Sequence, residues 1–466
     1  MVDAVRISLR ESKAARWSAL MVVSFTMLCG YFVADVAAPL ETLIEQKLHW
    51  SSAEYGIFTG AYTWFNVFLA MLIVGGVILD KLGARIAGIL SGALMVVGCG
   101  VKWWAFQTHS LDGSQIFGFN AQVVVASLGY ATFGTGLEIC GITATKIIAR
   151  WFKGFEMALA MGLQVSTARV GTAMALGLSD PIAKWFGNSV ATPIFVGLVL
   201  LSIGLVAFLF YCAMDRKLAA SEVDEGQSDG STSEKEDADQ FRLSDIKVIL
   251  GIRGFWYISL LCALFYSTVF PFLKYATHLM VQKFDVPRSW AGAIPSILPI
   301  ACIPLTVVFG SYYDRRGKGA TLMLLGSLLL VAVHLVFAVP VFDSWLVALA
   351  ATVVLGFAFS LVPSAMWPSV PRFIPERQLG TAYALIFWVQ NLVALFAVPG
   401  LIGWVLDRYC ITGTKIVDGV ESNAYNYTLP MMIFACLGML AVLFAYLLKA
   451  DDKKKGYGLE QPCHTK

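Results

Sequence analysis

The chain has 466 residues, 58% of them hydrophobic and only 14% charged, with a net charge of +3. Soluble domains carry about a quarter charged residues, so composition excludes a soluble enzyme or a nucleic-acid-binding module and indicates a polytopic membrane protein. The small net charge says little by itself; its placement along the chain says more.

A membrane-spanning helix needs about 20 apolar residues. Such runs occur near 17–38, 55–79, 86–107, 120–149, 157–182, 191–214, 252–281, 290–313, 319–340, 345–371, 379–405 and 425–449. These twelve runs predict an all-α membrane protein. Arg6, Arg10, Lys13 and Arg16 lead into a first run too long for the apolar core of a leader peptide, so no cleavable signal is expected. Seven of the nine cysteines fall inside apolar runs, Cys410 and Cys463 are expected on opposite sides of the membrane, and no disulfide framework is implied.

Between the sixth and seventh runs, residues 221–240 are acidic and rich in Ser and Gly, the composition of a disordered linker. The expected organisation is a six-helix bundle over 1–214, a linker over 215–250, a second six-helix bundle over 251–450 and a tail over 451–466. Two such bundles form the pattern of a duplicated transporter. Lys and Arg crowd alternate short loops: Lys81 and Arg85, Arg150 and Lys153, Arg315, Arg316 and Lys318, Arg372 and Arg377, then Lys453 to Lys455. The other loops hold fewer, so both termini and the linker are expected in the cytosol.

The duplication is visible in the residues. Gly76-Val-Ile-Leu-Asp80-Lys81-Leu-Gly83-Ala-Arg85 follows the second run, and Gly310-Ser-Tyr-Tyr-Asp314-Arg315-Arg316-Gly317-Lys318 follows the eighth. This repeated GxxxD(R/K)xG loop is the signature of the major facilitator superfamily. Its glycines permit a tight turn and close helix approach, and its Asp can cap a helix or pair with basic neighbours, so these residues are expected to gate. A second internal match relates Ala149-Arg150-Trp-Phe-Lys-Gly-Phe-Glu156 to Pro371-Arg372-Phe-Ile-Pro-Glu376-Arg377. Carried forward, it aligns Arg169 with Asn391, beside Gln390.

Two opposite charges stand inside the fourth and fifth runs, twelve residues before Arg150 (Glu138) and sixteen after Lys153 (Arg169). At about 1.5 Å per residue they lie roughly 18 and 24 Å from the intervening turn. Charges at such depth usually face a pathway. Two readings stand: a structural ion pair joining two helices, or a gap that a zwitterionic solute fills. Small or polar faces, Gly134/Glu138/Gly141/Thr145 and Gly162/Ser166/Arg169/Ala173, favour a cavity. Tyr62, Trp64 and Asn66 could line it, and Tyr266 adjoins Phe270-Pro271-Phe272 on the seventh run. Asp35 is either a proton-coupling carboxylate or a polar helix end. Snorkelling accounts for Lys102, and His334 reads as a satisfied core histidine. Pro363, Pro368 and Pro371 predict a broken tenth helix with Trp367 at the break. No Walker loop, metal cluster or nucleophile triad occurs, so neither cofactor nor catalysis is expected.

ARWFKGFEMALAMGLQVSTARVG and AMWPSVPRFIPERQLGTAYALIFWVQNL resemble the lysosomal dipeptide transporters of the major facilitator superfamily, as do YSTVFPF, Gly30-Tyr31-Phe32 with Asp35, and Tyr62-Thr-Trp64. The resemblance implies two pseudo-symmetric six-helix bundles and dipeptides carried as a uniport by alternating access. It places substrate contacts on Glu138, Arg169 and Trp367, and it implies an accessory membrane subunit as a partner. Chemistry agrees: Arg169 with Gln390 and Asn391 suits a carboxylate, Glu138 an ammonium, and Trp367, Tyr62 and Trp64 tolerant walls. The rivals are a proton-coupled symporter of organic or phosphorylated anions and a non-transporting solute sensor. A cell membrane is the expected location, with the lysosomal membrane as the alternative.

Overall fold

The computed structural model describes residues 12–116, 118–152, 156–224, 243–375 and 378–462. Most of the expected linker lies outside these residues. Among the described residues the chain forms twelve long helices: α1 (Lys13–Asp35), α2 (Ser52–Phe68 with Met71–Leu79), α3 (Lys81–Gln107), α4 (Ala121–Trp151), α5 (Met157–Trp185), α6 (Ala191–Asp224), α7 (Arg253–Lys283), α8 (Ala293–Arg316), α9 (Gly319–Ala338), α10 (Trp345–Ser369), α11 (Leu379–Tyr409) and α12 (Thr428–Lys455). Ten are long and apolar enough to cross a membrane, and the bent α2 makes an eleventh. The remaining one, α5, is the helix that carries Gln164, Ser166, Thr167, Arg169 and Thr172.

Helix α2 starts at Ser52–Gly60, tightens to a 3-10 turn at Ala61–Thr63, continues through Trp64–Phe68 and resumes after a 58° break. Ala70, at φ 50°, makes the break. The chain then runs on through Met71–Gln107, where Gly83 at φ 79° turns α2 into α3. In α11, Leu379–Gln390 passes into a π-helical segment, Asn391–Ala397, before Val398–Tyr409. Pro399 lacks the N–H that would close an α-turn there, and such π segments recur at functional sites.

Helices α1 to α6 pack as one bundle, with α1 on α5 and α2/α3 on α4 and α6. Helices α7 to α12 repeat the arrangement, with α7 on α12 and α9 on α10 and α12. The halves meet chiefly along α2–α11 and α5–α8. The α2–α11 seam is drawn tight by glycine. A Cβ at Gly403 would lie 2.1 Å from the Ser52 carbonyl oxygen, and one at Gly56 2.7 Å from that of Pro399. Helix ends near Ser12 and Gly456 define a terminal face; the opposite face carries the 41–51 and 410–427 connections.

Two expectations fail here. Helix α10 is not broken: Pro363 and Pro368 sit inside a continuous Trp345–Ser369, followed by a 3-10 turn at Val370–Arg372. Each proline removes one ladder bond, and the α-helical ladder continues on both sides of each. Lys102 does not snorkel. It is fully buried, donates to the Val33 carbonyl at 3.0 Å and lies 4.7 Å over the Tyr130 ring. The connection before α12 forms a hairpin that was not foreseen, β1 (Ile411–Val417) with β2 (Val420–Tyr425). Its two-residue turn, Asp418-Gly419, has φ of 51° and 80°; Asp-Gly is the strongest short-range hairpin signal, and it was available in the sequence.

Candidate functional site

A cavity of about 260 Å³ opens between the halves, half-way along the helices. From the first half it is lined by Tyr31, Asp35, Tyr62, Glu138, Arg169 and Thr172, and from the second by Tyr266, Lys274, Trp367, Phe387, Gln390 and Asn391, among others. Glu138 and Arg169 therefore share one space. They do not pair. Glu138 accepts a 2.9 Å hydrogen bond from the Tyr62 hydroxyl, which the 3-10 turn of α2 presents to α4. A Cβ at Gly134 would lie 2.1 Å from the Tyr62 carbonyl oxygen, so the absence of a side chain at 134 permits this approach. The Arg169 guanidinium lies 4.9 Å over the Phe359 ring of α10, in the other half. Such a contact holds a guanidinium plane and leaves its N–H edges available.

Gln390 and Asn391, both nearly buried, stand where the π segment begins, and the Cys262 thiol donates to the Gln390 Oε1 at 3.3 Å. The π segment offsets their register from the preceding turn, and both amides line the cavity. Trp367 stacks on Phe387 at 4.8 Å, and Tyr266 on Phe270 at 4.9 Å, giving flat apolar walls beside the charged ones. Trp64 and Asn66 are the exceptions: both follow the 3-10 turn and neither lines the cavity. Asn66 is buried with neither amide atom hydrogen-bonded.

Asp35 lines the cavity in a bound state. Lys274 of α7 pairs with it at 2.7 Å and also donates to the Ala34 carbonyl, and the Thr172 hydroxyl donates to its second oxygen at 2.8 Å. This ion pair bridges the halves. Further bridges lie beyond it toward the opposite face. Arg288 meets Asp180 at 3.0 Å and Asn188 at 2.6 Å, Asn423 donates to Glu45 at 2.8 Å, and Gln46 donates to Ser422 at 2.7 Å. Asp407 accepts from the Ser52 and Ala53 backbone N–H groups, capping α2 from α11. On the terminal face the ion pairs of Arg85 and Arg150 with Asp215, of Arg16 with Glu156 and of Lys449 with Glu460 each stay within one half.

The residues expected to gate divide in role. Gly83 and Gly317, at φ 79° and 69°, supply the turns. Gly76 and Gly310 approach nothing: a Cβ on either would meet open space. Arg85 bonds Asp215 of α6 at 2.7 Å, Lys81 and Arg315 are exposed, and the Asp80 side chain lies outside the described residues. Asp314 is exposed and does not cap α9. The Glu460 carboxylate does, accepting from the Thr321 N–H at 2.8 Å, while Leu459 and Glu460 carbonyls take the Gly319 and Lys318 N–H groups. That tail was not foreseen as structured; Gly456 and Gly458, both at positive φ, were the signal for its turn.

Comparison with known proteins adds identity to this geometry. The family model described as Major Facilitator Superfamily matches residues 20–398. The chain is 28% identical to the lysosomal dipeptide transporter MFSD1 of Mus musculus and 27% identical to that of Homo sapiens, in each case over 96% of this chain and 90% of the relative. Among solved structures it resembles a bacterial homologue of the human lysosomal transporter Spinster, inward-facing and unoccupied, with a TM-score of 0.72 at 15% identity over 95% of this chain and 98% of that one. A point mutant of the nucleoside transporter NupG superposes with a TM-score of 0.68 at 14% identity, over 93% and 98% of the two chains. Carrying two six-helix bundles around a central cavity, and matched by the model over most of its length, the chain belongs to the Major Facilitator Superfamily.

Proposed function

We propose that this transporter carries dipeptides, by facilitated diffusion through alternating access. The observation that carries the reading is the separation of Glu138 and Arg169 on one cavity wall, each held by an uncharged partner, Tyr62 and Phe359, and neither by the other. A zwitterion offers one carboxylate and one ammonium across a short backbone, and it neutralises both charges at once. Arg169, with Gln390 and Asn391 across the cavity, takes the carboxylate; Glu138 takes the ammonium. The stacked Trp367–Phe387 and Tyr266–Phe270 walls accept varied side chains without a matching polar group. The curated relatives named as dipeptide transporters support the same substrate class.

Lys and Arg placement puts the terminal face in the cytosol. The bridges on the opposite face then describe an inward-facing state with its outer side shut. In the reverse state the surfaces at Gly76 and Gly310, open here, come together on the cytosolic side, and the loops of Asp80, Lys81, Arg85, Asp314 and Arg315 meet there. Asp35 serves as part of the outer seal, because its carboxylate is already taken by Lys274. The test is uptake by proteoliposomes of the purified chain. Labelled dipeptide should enter and equilibrate without an imposed pH gradient, and single amino acids and organic anions should not compete. Uptake that requires the gradient, or competition by organic anions alone, would select the proton-coupled anion symporter instead.

A further inference from the structure

The outer seam holds a pair of ionisable groups that substrate transport does not use. Glu41, in the short helix Glu41–Leu48 of the first half, is 3% exposed, and neither carboxylate oxygen has a hydrogen-bond partner. His278 of α7, in the second half, is 1% exposed, with Nδ1 3.6 Å from Glu41 Oε1. The Tyr427 hydroxyl lies 2.5 Å from the same Nδ1, and Gln282 lies 3.1 Å from Nε2. A buried carboxylate without hydrogen bonds is costly unless it is neutral or paired with a cation. Both solutions, a carboxylic acid beside neutral imidazole or a carboxylate beside imidazolium, hold the same one labile proton.

We propose that Glu41 and His278 form a proton-binding site inside the outer gate, one that exists only while the gate is shut. Parting the halves on that face separates the two groups and wets both. In water a carboxyl titrates near ~4.3 and an imidazole near ~6.5. The opened pair therefore keeps its proton at pH 5.5, on the imidazole, and has lost it at pH 7.5. The shut gate binds more protons than the open one above about pH 6.5, so acid on the outer side holds it shut and neutral pH releases it. Uptake and release both occur on the outer face. The site senses pH without moving protons across the membrane, and it is compatible with a uniport.

Neighbouring groups do not reverse this sign. Glu45 on the same short helix accepts from Asn423 and Tyr425, and Asp407 of α11 accepts from the Ser52 and Ala53 N–H groups, so both carboxylates are hydrogen-bonded in the shut gate. Lys415 of β1 is held by Asp285, and Lys274 of α7 by Asp35. Burial pushes the Tyr425 and Tyr427 hydroxyls up, so they stay protonated throughout; Tyr55 and Tyr275 are phenols that also face Glu41. Of the other charges at this seam, Asp180 and Asp418 both pair with Arg288, and His49 is exposed.

Spin labels on Lys47→Cys and Thr414→Cys, exposed positions on opposite sides of the seam, report the open fraction of the full chain in nanodiscs by pulsed distance measurement. With the pKa values above, the open-to-shut ratio should rise about tenfold between pH 5.5 and 7.5. Glu41→Gln leaves a buried imidazole that must be neutral when shut and can charge when open, so the trend should invert, with acid opening the gate about tenfold. A flat profile in the unsubstituted background overturns the proposal, as does a Glu41→Gln variant that keeps the original sign. The readout needs no substrate, so it stands or falls separately from the dipeptide assignment.

Discussion

Replacing Arg169 by Gln removes the one cavity cation that no carboxylate holds among the described residues, while keeping a polar side chain of similar reach. A hydrogen bond to a charged group contributes about 1.5–3 kcal/mol, and a guanidinium can offer two in parallel to one carboxylate. Contact with Phe359 fixes the plane of the fork in advance, which reduces the ordering cost, and desolvation of the carboxylate offsets part of the gain. A net of about 3 kcal/mol corresponds to roughly 150-fold in affinity. The assay is competition for counterflow in proteoliposomes between a dipeptide and the same dipeptide amidated at its C-terminus. Unsubstituted protein should prefer the free acid by about two orders of magnitude. In Arg169→Gln the preference should shrink to within a few-fold, because the variant loses affinity for the acid and not for the amide. A variant that still discriminates the acid, or one that loses both ligands equally along with thermal stability, would refute the assignment and return Arg169 to a structural role.

Tyr62→Phe strips the Glu138 carboxylate of its 2.9 Å donor; the unsatisfied group should cost about 1–3 kcal/mol, seen as a rise in KM for dipeptides that N-acetylated competitors do not share. Lys274→Met leaves Asp35 part-buried beside Thr172, a loss of about 3–5 kcal/mol in thermal unfolding that the double change with Asp35→Asn should largely recover. Gly403→Val drives a side chain into the Ser52 carbonyl, 2.1 Å from an added Cβ, so label distances across the outer face should lengthen; unchanged distances would mean that the seam does not set the gate. Glu460→Ala uncaps α9 and should lower its stability by about 1 kcal/mol, measured as a fall in Tm with transport specificity intact.

The fold was legible because its signals are local. Apolar length gives every span but α5, and the matched loops after α2 and α8 give the duplication. Depth from a basic turn places Glu138 and Arg169 at one level of neighbouring helices. Arg169 and Asn391, the positions that the internal offset aligned, both line the cavity. Local reasoning failed where a helix irregularity was compensated elsewhere. Pro363 and Pro368 looked like breaks but are carried through. The true breaks fall at Ala70, a residue with no turn preference, and at Asn391–Ala397, upstream of Pro399. Tyr62 and Trp64 were both read as cavity walls; Tyr62, inside the 3-10 turn, lines the cavity, and Trp64, which follows the turn, does not.

What the sequence could not show is which charges meet across the halves. Lys102 and Lys274 are both lysines near the outer ends of apolar helices, and nothing in their neighbours in sequence distinguishes them. One is buried against Tyr130 and a backbone carbonyl within its own half; the other crosses to Asp35 and ties the halves together. Phe359 is the same kind of case: an unremarked apolar residue of α10 that becomes the partner of Arg169 only when the halves are docked. These contacts share a property that bears on mechanism. Alternating access requires contacts between the halves to break on one face and form on the other, so they belong to a state of the protein rather than to its fold. A cation whose partner is an aromatic face in the other half, with its hydrogen-bonding edge left over, can exchange that partner for a carboxylate at modest cost. Under the dipeptide function proposed here, Arg169 would couple occupancy of the cavity to the docking of α5 against α10, and Glu138, held by Tyr62 within its own half, would take the substrate's other end.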